Sequence, residues 1–109
     1  MASATFEVDS YQFYDWSSRM TGKTNLILNG HGGETCSVWF VEDPTAALPA
    51  ASQVAANYYA FYYHHHQLQH LIDMLRYDKP IYVFFNNDNG FANSRISTSN
   101  EPVGEGLEP

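Results

Sequence analysis

From Pro49 to Tyr77 the chain carries almost no charge, and aromatic, histidine and leucine side chains recur through it at helical spacing. Val54, Tyr58, Phe61, His65, Leu68, Ile72 and Leu75 are separated by alternating steps of four and three, which puts them on one side of an α-helix. A second series at the same steps, Tyr59, Tyr63, His66, His70, Asp73 and Tyr77, falls on the opposite side. The spacing predicts one long amphipathic helix with an oily face toward the core and a separate aromatic, histidine-rich face. Pro49 fits its first position, the small residues from Ala50 to Ala56 allow close approach to a sheet, and Asp78, Lys79 and Pro80 end it. On such a helix Leu68 and Ile72 are core and costly to truncate, whereas Tyr59 is not.

The flanking sequence reads as strands. Thr5 to Val8 and Tyr11 to Trp16 alternate, but the apolar parity changes between Val8 and Tyr11, so a bulge is expected near Asp9 and Ser10. Asn25 to Leu28 and Glu34 to Val41 follow as two strands joined by Asn29-Gly30-His31-Gly32-Gly33, whose residues supply the positive φ of a tight reversal and leave His31 exposed. Ile81 to Phe85 is a continuous apolar run suited to a central strand buried on both faces. Asn86 to Gly90 then reverses the chain into an edge strand, Phe91 to Thr98. The sum is an α+β fold: an antiparallel sheet of about five strands, in the order β-β-β-α-β-β, with one long helix packed on one face. Residues 1–99 form the single α+β domain, and 100–109, rich in Glu, Gly and Pro, form a flexible acidic tail.

Composition narrows the function. At 109 residues with 44% hydrophobic and 16% charged side chains, one core is expected and disorder of the body is not. A net charge of −7, with Arg19, Lys23, Arg76, Lys79 and Arg95 as the only basic residues, argues against nucleic acid and anionic membranes. No apolar run reaches the ~20 residues of a membrane span. Cys36 is the only cysteine and shares a strand side with Val38 and Phe40, so it reads as a buried core residue in a cytoplasmic, reducing setting.

Motifs for chemistry fail on their own requirements. Thr21-Gly22-Lys23-Thr24 looks like the end of a phosphate loop, but Ser17 stands where the first glycine belongs and a strand follows instead of a helix. His31-Gly32-Gly33 lacks the Gly-x-Ser-x-Gly nucleophile elbow that would accompany an esterase oxyanion loop. No catalytic residue is assigned.

Eight tyrosines, seven phenylalanines and two tryptophans exceed what so small a core readily hides, and tyrosine marks binding surfaces. The expectation is therefore a small soluble non-catalytic binding or self-assembly protein, acting on a protein partner or as a homodimer through Tyr59, Tyr62, Tyr63, His66, His70 and Tyr77. An alternative is a metal-binding protein or metal-dependent enzyme holding a divalent ion with His66, His70 and Asp73, which share a helix face. The cluster His64, His65, His66 and His70 also fits a pH sensor, with His65 in the middle of the apolar face. A second alternative is single-stranded nucleic-acid binding by exposed rings such as Tyr11, Phe13 and Trp39.

Overall fold

The uncharged stretch Pro49 to Tyr77 divides into two strands and a short helix. The computed structural model describes residues 3–20, 23–86 and 94–98. Among these, the elements in chain order are β1 (Ser3–Asp15), β2 (Thr24–Gly30), β3 (Thr35–Val41), β4 (Ser52–Ala55), β5 (Tyr58–His64), a 3₁₀ turn (His65–Gln67), α1 (Leu68–Tyr77), β6 (Ile81–Asn86) and β7 (Arg95–Thr98). The reversal expected over Asn86 to Gly90 lies mostly outside the described residues, as does the tail from Asn100.

The expected antiparallel five-stranded sheet with one long helix is thus corrected: the described residues form a seven-stranded sheet in the order β4-β5-β3-β2-β1-β6-β7, and it is mixed. β3 and β5 run parallel, from Thr35 opposite Tyr58 to Val41 opposite His64, and the other neighbours are antiparallel. The reason is that Tyr58-Tyr59-Ala60-Phe61-Tyr62-Tyr63-His64 satisfies two periods at once. Its aromatics favour a pleated strand, and in that form Tyr59 and Phe61 alternate inward while Tyr58 and Tyr62 point the other way. Asn57, at φ 58°, takes the left-handed conformation that asparagine tolerates, so the chain reverses between β4 and β5. Its carbonyl accepts a hydrogen bond from the Thr35 N–H at 2.8 Å, which docks the reversal on β3. Helix begins only after His64, whose N–H donates to Gln67 Oε1 at 3.0 Å.

β1 makes the sheet curl. Its first half pairs with β6 and its second half with β2, and the register shifts between Val8 and Ser10, where the sequence parity changes. A bulge bends its strand and increases twist. Opposite this point Gly30 pairs with Val8, and a Cβ on Gly30 would stand 2.6 Å from Phe6 Cδ2, so a side chain there would collide with the core ring. The β2–β3 reversal closes with Gly33 at φ 90°, and His31 is exposed on it.

The curl brings distant strands together across the concave face. Tyr59 of β5 lies 5.0 Å from Phe85 of β6 and 6.2 Å from Phe6 of β1, centroid to centroid, although three strands separate β5 from β6 in the sheet. Tyr63, half-buried, also reaches inward: desolvation raises its phenol pKa, and the nearby Ile96 backbone of the far edge strand β7 offsets part of that rise. Leu26, Leu28, Cys36, Val38, Phe61 and Val83 fill the space between. α1 covers this face with Leu71 buried and Leu68, Ile72 and Leu75 packed beside it. The helical spacing of Leu68, Ile72 and Leu75 is therefore real, but it stops at the 3₁₀ turn: Val54 is 59% exposed, and His65 is exposed instead of central to an apolar face. β6 alternates, with Ile81, Val83 and Phe85 in the core and Tyr82 and Phe84 half-buried, so it is not covered equally on both sides.

Cys36 sits wholly within this core, and burial pushes its thiol pKa above the ordinary value of 9.0. A native chain should therefore be inert to a disulfide reagent such as DTNB and react fully in denaturant; rapid labelling of the folded protein would contradict its placement. Because burial raises the folded thiol and the Tyr63 phenol, the stability they lend is complete below pH 9 and is lost as pH rises beyond it. Cys36→Ala should flatten the alkaline part of that curve.

Candidate functional site

The convex face of the sheet carries the residues that alternate away from the core. Tyr14 of β1, Asn25 and Ile27 of β2, Ser37 and Trp39 of β3, and Tyr58, Ala60, Tyr62 and His64 of β5 share it by register. Its centre is made of small or polar residues, with Asn25, Ser37 and Ala60 all buried. They are buried because larger side chains fold over them. The Trp16 indole donates to Asn25 Oδ1 at 2.8 Å and stacks on Tyr14 at 5.4 Å, with the Arg19 guanidinium 4.2 Å from its ring centre. On the other side the Tyr58 hydroxyl lies 2.9 Å from Ser37 Oγ.

Between these groups and the β3–β4 connection the face opens into a cleft of about 440 Å³. Trp39 and Tyr62 form its aromatic wall, since the parallel pairing sets them directly opposite each other. Met20, Val41 and Pro49 extend the apolar lining, and Glu42 and Asp43 supply carboxylates. The connection is tied down at His64, whose Nε2 is 2.9 Å from the Ala46 carbonyl oxygen. Asp43 holds the turn at its start, accepting from the Thr45 N–H (3.0 Å) and hydroxyl (2.8 Å), both at Oδ1. These bonds, the backbone one foremost, lower the Asp43 pKa and keep the group ionised. Glu42 pairs with Lys23 at 3.4 Å across the surface. The size and apolar lining are those of small-molecule sites, with few polar groups at fixed positions.

The six side chains expected to share one partner-binding face do not. Tyr59 is core and Tyr63 reaches inward to β7, whereas Tyr62 lines the cleft on the convex face. His66, in the 3₁₀ turn, is exposed and stacks on His64 at 5.7 Å; His70 and Tyr77 are exposed on α1. Among the metal-ligand candidates, His66 is not in the same helix as His70 and Asp73, and Asp73 accepts from Gln69 Nε2 at 2.9 Å. No group of three His, Cys, Asp or Glu side chains gathers to hold a metal ion among the described residues. Of the rings considered for base stacking, Phe13 is 45% exposed, Tyr11 is half-buried and Trp39 belongs to the cleft.

Sequence reasoning singled out Tyr62 and Trp39 but for different surfaces, and it missed Met20, Pro49 and Asp43. The strand alternation of Tyr58 to His64 was the signal that joins the first two.

Compared with known protein families, with curated proteins and with solved structures, the chain matches none.

Proposed function

We propose that this chain is a non-catalytic binding protein of the cytoplasm that works through the convex-face cleft between Trp39 and Tyr62. The observation that carries this reading is a concave, mainly apolar site walled by two aromatic side chains on adjacent strands, where rigid sheet elements hold them in place. Its lining offers apolar surface for burial and the carboxylates of Glu42 and Asp43 for orientation. Self-association is a form of the same reading that draws on exposed rings outside the core, Tyr77 and the Tyr14–Trp16 stack, and no longer on Tyr59 or Tyr63. Metal binding at His66, His70 and Asp73 gains no support from their geometry. Among the described residues no helix is long and apolar enough to cross a membrane.

Titration of the isotope-labelled chain with cyclohexanol, a neutral apolar probe, tests the cleft. The expected result is saturable chemical-shift change confined to residues around Met20, Trp39, Val41, Pro49 and Tyr62. Shifts centred instead on α1, or spread evenly over the surface, would oppose the reading.

A further inference from the structure

We infer that the cleft takes a small organic cation, an alkylated ammonium group carried on a short apolar body. This rests on the reading of the cleft as the binding site. Trp39 and Tyr62, side by side on β3 and β5, both line it, and tryptophan and tyrosine rings attract an ammonium group through their quadrupoles. Among the described residues that line it, two of eight are acids, Glu42 and Asp43, and none is basic. Lys23 is bonded to Glu42 and is not among the lining side chains. Asp43 is the fixed charge: its Oδ1 is held by two bonds from Thr45, so the carboxylate is oriented before any ligand arrives. Met20, Val41 and Pro49 give the alkyl groups apolar surface to lie against. A neutral apolar ligand would use the wall but leave the carboxylates idle, and an anion would meet them directly. The chain's net charge of −7 adds long-range attraction for a cation and repulsion for an anion. The volume of about 440 Å³ suits a small molecule better than the broad, flat contact of a protein partner.

The two tryptophan indole N–H signals of the full chain provide the readout, with Trp16, hydrogen-bonded to Asn25, as the internal reference. Choline and its neutral isostere 3,3-dimethyl-1-butanol are titrated in parallel, together with a short lysine-containing peptide. Choline should shift the Trp39 signal saturably and bind about tenfold tighter than the isostere, between an exposed and a fully desolvated cation–π contact. Asp43→Asn, which keeps an Oδ1 acceptor for Thr45, should reduce that preference severalfold without changing the isostere's binding. Equal binding of choline and the isostere would overturn the cationic ligand while leaving the cleft as a binding site. Binding of none of the three at Trp39 would remove the site as well. Binding of the peptide alone would overturn the small-molecule assignment in favour of a protein partner's side chain.

Discussion

Phe61→Ala should lower the stability of the chain by about 3–5 kcal/mol, the usual cost of emptying a buried aromatic site. Phe61 is fully buried in the middle of β5, opposite Val38 on the concave face, and a strand held on both sides by β3 and β4 cannot shift to fill the space. Tyr62→Ala, one residue along and on the convex face, should cost less than half as much, because its half-exposed ring loses only partial burial. Urea unfolding of the two variants measures the difference. Costs of similar size at both positions would be incompatible with strand alternation here.

Tyr59→Glu should be more damaging still. The substitution removes a ring that bridges Phe6 and Phe85 and places a carboxylate among apolar side chains, with an effective penalty of several kcal/mol for an unpaired buried charge. That loss is comparable to the ~5–15 kcal/mol that holds a typical domain together, so the variant should lose its cooperative unfolding transition. Tyr77→Glu, at a ring 66% exposed on α1, should leave the transition in place. The contrast bears on any test of self-association: a carboxylate at Tyr59 reports on folding, not on a surface between copies.

Local turns and the β1 bulge were legible in the sequence, whereas the number of strands, their mixed direction and the short helix were not. The parity change between Val8 and Tyr11 located the bulge in β1, and the glycines of 29–33 located the β2–β3 reversal, because both signals are local and each has one physical solution. Cys36 in line with Val38 and Phe40 was legible as core for the same reason. Tyr58 to His64 was not, since aromatic residues at nearly every position match a helical step as well as an alternating one. What settles such a run is its neighbours: Asn57 at positive φ before it and a parallel berth beside β3. The pairing with β3 joins residues 23 positions apart, as from Thr35 to Tyr58, and no periodicity within either segment encodes it. The same gap hid the cleft. Trp39 and Tyr62 were each visible as aromatic surface candidates, yet their meeting depends wholly on that parallel register, and the loop residues Pro49 and Asp43 acquire a role only once the two rings stand together.

The most direct measurement is therefore nuclear magnetic resonance of the backbone from Gln53 to His64. Carbon chemical shifts of extended chain throughout Tyr58 to His64 are expected, with cross-strand proton contacts in the parallel register that sets Thr35 opposite Tyr58 and Trp39 opposite Tyr62. Helical shifts with contacts between residues three apart along that segment would contradict the curled sheet, and the cleft would go with it.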